Sequence, residues 1–268
     1  MTNPTVSVIT PVGPAWSKDF LIDVKESLQL NTTDYEWILS CDGANFHDVA
    51  RSVVAEHSSS TKVIGGTNRV GIARARNRAL ALARGEWVYP MDSDDICLQG
   101  IDKLLEAALN NQTVWAAGLA YDVDETGMNI IYEPDDNLAP FHDIIPLNGF
   151  LDQKNKTGQY PFLCAGATFI RADVVRKLSG WDEELRDAGE DITLMVKVSA
   201  NYEGAWVNNP VMFYRKHLAS ITAGRRFRED LKSRIARRSD SNFDVETGRL
   251  LGPRSIGHTS DSYDDSLR

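Results

Sequence analysis

Three carboxylates, Asp92, Asp94 and Asp95, directly follow the apolar run 87–91. Like charges that converge at the end of a buried strand are costly unless a cation neutralises them. Mg2+ or Mn2+ commonly takes one or two protein carboxylates together with substrate phosphates. The spacing therefore suits a metal–diphosphate site, with Ser93 counted in the same set. A capping and turn cluster is the competing reading. Asp122 and Asp124 repeat the Asp-x-Asp spacing but lead into a hairpin turn at Glu125-Thr-Gly127, and this context separates the two pairs.

Further residues could serve the same chemistry. Asp42 ends a second apolar run and precedes Gly43, where a carboxylate either accepts from a nucleobase imide or ribose hydroxyl, or simply makes an Asp-Gly turn. Arg69, Arg74 and Arg76 surround a helix opening at Gly71. Guanidinium groups and a helix N-terminus both favour an anionic diphosphate, although Arg74 and Arg76 read equally well as solvated helix charges. Asp191 stands at the start of a helical stretch, where it is either a general base for an acceptor hydroxyl or an acid stabilised by the helix dipole. His217 follows the last short strand and either completes a metal shell or is a lone surface histidine. No Gly-x-Gly-x-x-Gly and no P-loop lysine motif occurs, which argues against dinucleotide redox enzymes and P-loop phosphotransferases.

The elements that must position these residues alternate in type. Short β-rich runs at 5–10, 36–41, 62–65 and 86–91 are separated by stretches with helical spacing near 17–30, 45–57 and 71–83. That grammar implies an α/β fold with a mixed, mostly parallel sheet flanked by helices, which binds ligands beyond the carboxyl ends of its strands. A helix near 95–110, a strand at 114–123 and a hairpin return at 129–132 follow. Periodicity is weak from 133 to 161, which reads as a long loop or lid. A strand at 165–170, helices from about 172 and at 190–200, and two short strands at 205–208 and 211–214 complete the pattern.

The sequence divides into 1–100 as a nucleotide-binding half and 101–222 as an acceptor half. A basic amphipathic helix at 223–238 and a polar, disordered tail at 239–268 then follow. The basic helix would dock on the core through Phe227, Leu231 and Ile235 or touch an anionic membrane surface. With 38 acidic and 29 basic side chains the net charge of -9 disfavours general nucleic-acid binding. Cys41, Cys97 and Cys164 form no Cys-x-x-Cys motif and are expected to be free thiols. The start has no basic and apolar leader, and no run is long and apolar enough to span a membrane, so a cytoplasmic location is expected.

In this order the segments resemble glycosyltransferase family 2, enzymes of the GT-A fold, over residues 5–217. The pieces are Val-Ser-Val-Ile-Thr-Pro11, Asp42, Gly71-Ile-Ala-Arg-Ala-Arg-Asn77, Asp92-Ser-Asp94-Asp95, Gly180-Trp-Asp-Glu, Glu190-Asp191 and Tyr214-Arg-Lys-His217. The resemblance implies a nucleotide diphosphate sugar donor, with UDP-sugars favoured, and transfer with inversion. It places Pro11 and Asp42 at the nucleoside, Asp92 near the ribose, Asp94 and His217 on Mn2+ or Mg2+, and Asp191 as the base. No Gln-x-x-Arg-Trp segment of processive members occurs, so single transfer to a glycan, lipid-linked or small-molecule acceptor is expected. Two rival readings are a sugar-nucleotidyltransferase and a non-catalytic nucleotide-sugar-binding module. The first fits poorly with the loop after the first strand, which carries two prolines and one lysine (Pro11, Pro14, Lys18).

Overall fold

A strand buried on both faces needs apolar side chains at odd and even positions alike, sorted into two cores. Strand β1 (Val6–Val12) shows this: Val6, Val8 and Val12 pack into one core and Ile9 into the other. In β2 (Tyr35–Asp42), Trp37, Leu39 and Cys41 join the first core and Ile38 the second. The computed structural model describes residues 3–14, 17–55, 60–134, 141–158, 160–161, 164–185, 189–218 and 220, and the short strands 243–244 and 249–250.

Helices cover both faces. On the first lie α1 (Lys18–Leu28), α2 (His47–Val54) and α4 (Gly100–Asn110), contributing Leu21, Val24, Val53, Ile101 and Leu104. Ser17 caps α1, its hydroxyl accepting the Phe20 N–H at 3.2 Å. On the second lie α3 (Ile72–Leu80), α5 (Gly149–Thr157), α6 (Ala172–Lys177) and α7 (Glu190–Asn201), contributing Leu80, Phe150, Val175 and Leu194.

The remaining strands are β3 (Thr61–Gly66), β4 (Trp87–Pro90), β5 (Ile96–Cys97), β6 (Trp115–Val123), β7 (Ile130–Tyr132), β8 (Ile144–Ile145), β9 (Thr168–Arg171) and β10 (Gly204–Arg215). The sheet order is β3-β2-β1-β4-β9-β6-β10-β5, with β7 on β6 and β8 on β10. Strands β3, β2, β1 and β4 are parallel, and β9 is antiparallel to both β4 and β6. It follows that β6, and β10 parallel to it, point the same way as β4. The carboxyl ends of β1, β2, β4, β6 and β10 therefore lie along one edge, and Pro11, Asp42, Asp92, Asp122 and His217 are delivered there or just beyond.

Three expectations are corrected. The stretch 133–161 is not a plain loop, since it holds β8 and α5. Left-handed residues set the bounds of that helix: Asn148 (φ 60) precedes α5 and Gly158 (φ 76) ends it. The two short strands at 205–208 and 211–214 are one strand, β10, whose pairing with β6 shifts register on both sides of Pro210. Finally, the strand expected at 165–170 begins as a 3₁₀ turn at Ala165–Ala167 before β9. The expected helix at 223–238 lies outside the described residues, as does nearly all of 239–268. The exception there is an antiparallel pairing of 243–244 with 249–250. Among the described residues no helix is long and apolar enough to cross a membrane.

Candidate active site

The site begins with the loop that follows β4. Asp92 is 22% exposed, and Asp94 is 19% exposed with its Oδ2 at 2.9 Å from Nε2 of His217. These two residues are 123 apart in sequence, and antiparallel pairing of β5 with β10, Ile96 opposite Phe213, brings the segment that follows β10 against the loop that follows β4. The imidazole is only 2% exposed and packs on Phe20 with ring centroids 5.0 Å apart, so His217 is a buried partner and not a lone surface histidine. Asp95 is fully buried and accepts the Arg215 N–H at 3.0 Å. Burial, with Asp94 and Asp92 nearby, pushes its carboxyl well above the usual range. Burial also raises Asp92, opposed by Arg76 and reinforced by Asp94.

Arg215, which sequence reasoning passed over, holds this loop in shape. It is 1% exposed, donating from Nε to the Asp94 carbonyl at 2.7 Å, and from its terminal nitrogens to the Glu125 carbonyl at 2.7 Å and to Asp23 at 2.6 Å. Its guanidinium lies 4.5 Å from the centre of the Phe20 ring.

Asp42 does the work of a turn residue. Its Oδ1 accepts the Val70 N–H at 2.5 Å, its Oδ2 accepts the Gly71 N–H at 3.2 Å, and Arg69 stands 3.9 Å away. Gly71, at φ 94, starts α3 in a conformation that a side chain would disfavour, and Asp42 satisfies amides exposed there. Pro11 is buried on β1 beside Ser40 of β2, next to this turn.

The arginines separate by environment. Arg69 keeps 60% of its side chain exposed beside Asp42. Arg74 reaches Glu183 at 2.8 Å on the surface. Arg76, expected as a solvated charge or a diphosphate contact, is instead 1% exposed with both terminal nitrogens on carboxylates: Asp92 Oδ1 at 2.5 Å, and Glu190 Oε1. The clue lay in the helical spacing, because Ala73, Arg76 and Leu80 share the inward face of α3.

Asp191 stands in the first turn of α7, half-buried, its Oδ1 accepting the Ile192 N–H at 2.7 Å. Gly189, at φ 88, makes the turn into that helix. The carboxylate borders an apolar cleft lined by Pro90, Phe150, Tyr160, Trp181, Ile192 and Met195. Beside it Glu190 is 3% exposed, and burial together with Asp191 pushes its carboxyl up to about 8, against the pull of Arg76. The second Asp-x-Asp is structural: Asp122 pairs with Lys216 at 3.1 Å, while Asp124 accepts from Thr126 and Asn129 at 2.6 Å each to close the hairpin.

Among the described residues no group of three or more His, Cys, Asp or Glu could hold a metal ion. Asp94 and His217 offer two convergent donors, one carboxylate and one imidazole. That set fits a divalent cation which takes the rest of its shell from diphosphate oxygens, and the imidazole suits Mn2+ better than Mg2+.

Comparisons with known proteins agree with this architecture. The description "Glycosyl transferase family 2" matches residues 7–179. An uncharacterized glycosyltransferase, MJ1057, of Methanocaldococcus jannaschii is 26% identical over 138 residues, half of this chain and 47% of that protein. Among solved structures, residues 1–349 of S. aureus TarS in complex with UDP-GlcNAc superimpose with a TM-score of 0.67 at 16% identity, covering 92% of this chain and 70% of that one. The same TarS segment in complex with UDP gives 0.63 at 17% identity, over 79% of this chain and 60% of that one. This chain thus spans about half the length of the curated relative it matches. Fold and family match together define a glycosyltransferase with a GT-A fold. The chain belongs to glycosyl transferase family 2.

Proposed function

We propose that the protein transfers a single sugar, with inversion, from a nucleotide diphosphate sugar to an acceptor hydroxyl. UDP-sugars are the favoured donors, Asp191 is the base, and Mn2+ or Mg2+ is held by Asp94 and His217. The observation that carries this is the linked set at one site: His217 on Asp94, and Arg76 joining Asp92, two residues before Asp94, to Glu190, the neighbour of Asp191. The complexes of TarS with UDP and UDP-GlcNAc support the choice of donor.

Each residue then has a task. Pro11, Asp42 and the turn 69–71 border the nucleoside, and half-exposed Arg69 is free to turn toward the diphosphate. Asp92 and Ser93 face the ribose and diphosphate end of the donor. Asp94 and His217 would hold the divalent cation, which when bound would supply Lewis-acid stabilisation of the charge on the leaving diphosphate. Asp191 accepts the proton of the acceptor hydroxyl as its oxygen bonds to the anomeric carbon, while the bond from that carbon to the diphosphate oxygen breaks. Attack opposite the leaving group inverts the anomeric centre, so an α-linked donor gives a β-glycoside. The aromatic and aliphatic wall beside Asp191 excludes water that would otherwise compete as acceptor.

The test is a screen of UDP-sugars with Mn2+ for release of UDP, followed by NMR of the product's anomeric proton. Sugar-dependent UDP release that yields a β-linked product supports the reading. Release of pyrophosphate from a nucleoside triphosphate and a sugar phosphate would replace it with a nucleotidyltransferase.

A further inference from the structure

We propose that Arg76 is a positioning residue that holds the donor-side and acceptor-side carboxylates in register, with Glu190 as its anchor on the acceptor side; this rests on the transferase reading above. Asp92 stands two residues beyond the end of β4, in the donor-side loop, whereas Glu190 and Asp191 begin the helix that carries the base. One guanidinium spans the two, with one terminal nitrogen on Asp92 at 2.5 Å and the other on Glu190. A planar fork fixes both the spacing and the angle between two carboxylates, which an ammonium cannot do. Trp181 backs the arrangement, its ring centre 6.0 Å from the guanidinium carbon.

The environment argues that this contact serves more than stability. Arg76 is 1% and Glu190 3% exposed, yet Nε of Arg76 and Oε2 of Glu190 have no hydrogen-bond partner among the described residues. A buried ion pair with unsatisfied atoms is a poor way to stabilise a core, and apolar residues of similar volume would serve as well or better. What the pair does supply is fixed geometry. Because Asp191 is adjacent in sequence to Glu190, and Gly189, at φ 88, makes the turn into the helix, anchoring Glu190 sets where the base points.

Four variants test this: R76K, R76Q, E190Q and R76Q/E190Q. They are compared by ligand-free amide hydrogen exchange at 189–194, by calorimetric affinity for UDP with Mn2+, and by UDP release from UDP-GlcNAc. In R76Q we expect exchange at 189–194 to accelerate roughly tenfold with 21–28 unchanged, and kcat to fall by about 30-fold, as for a displaced catalytic group, while UDP affinity stays within about threefold. R76K should recover part of kcat with KM unchanged, and it covers the case in which R76Q fails to fold. The double variant should be no worse than R76Q, since the two residues act as one unit. Wild-type exchange at 189–194 in R76Q, losses that multiply in the double variant, or an R76K indistinguishable from wild type would each overturn the proposal. A wild type that releases no UDP counts against the transferase reading alone, and the exchange arm still decides the role of Arg76.

Discussion

Two buried arginines flank the loop 92–95, and they are used in opposite ways. Arg215 sends its donors mainly to backbone: the carbonyls of Asp94 and Glu125, with Asp23 as the single carboxylate and Phe20 beneath the guanidinium. Arg76 sends both terminal nitrogens to carboxylates that belong to different halves of the site. Each is 1% exposed, so burial does not distinguish them. Partners do. A guanidinium bound to carbonyls fixes the path of the chain, whereas one bound to two site carboxylates fixes the distance between functional groups.

This contrast can be broken experimentally. The largest effect belongs to Arg215→Ala, which removes a buried guanidinium from its packing on Phe20 and leaves two carbonyls without donors, while the 41% exposed Asp23 is rehydrated. We expect a loss of about 2–4 kcal/mol in urea unfolding, the scale of two buried acceptors left unsatisfied, and a variant as stable as wild type would deny the scaffold role. Next comes Asp191→Asn, with transfer down roughly 100-fold and UDP affinity nearly intact; equal activity would place the base elsewhere. His217→Ala should weaken Mn2+-dependent UDP binding by about tenfold, the scale of one lost ligand or its close support, with little change in metal-free binding.

The smallest effect lies away from the site. Asp102 accepts from the Thr32 and Thr33 amides at 2.7 and 2.9 Å, and these bonds hold its carboxyl below the usual range although burial works the other way. Because the folded carboxyl is the stronger acid, its contribution is present above the ordinary carboxylate range and disappears as pH falls through its folded value. Asp102→Ala should therefore cost about 1–2 kcal/mol near neutrality and progressively less below about pH 4, as read by thermal unfolding across pH. A deficit that does not change with pH would show that charge plays no part.

Much of the site was legible because strand ends are legible. Asp42 and Asp92–Asp95 follow apolar runs, and the βαβ grammar says that such positions share an edge. The pairing of Asp94 with His217 needed more, since the antiparallel register of β5 and β10, Ile96 opposite Phe213, is what brings residues so distant in sequence together. Arg76 was hard to read for a different reason. Arg74, Arg76 and Arg78 look alike in sequence, yet Arg76 alone among them shares the inward face with Ala73 and Leu80. In the stretch 133–161, Pro146, Gly149 and Gly158 look like loop breakers, but Gly149 opens and Gly158 ends α5, a helix too short to announce itself by periodicity. Pro210 likewise divides β10 in sequence but not in space, because the strand absorbs it by shifting register.

The central claim is that the edge bearing Asp92, Asp94 and His217 binds a nucleoside diphosphate through a divalent cation. Calorimetric titration with UDP, dTDP and GDP, each with Mn2+, Mg2+ or chelator, tests it most directly, on the wild type and on Asp94→Ala. The account requires one diphosphate to bind in a metal-dependent way and to lose that dependence in Asp94→Ala. Binding that ignores chelator, or no binding by any of the three, would contradict it.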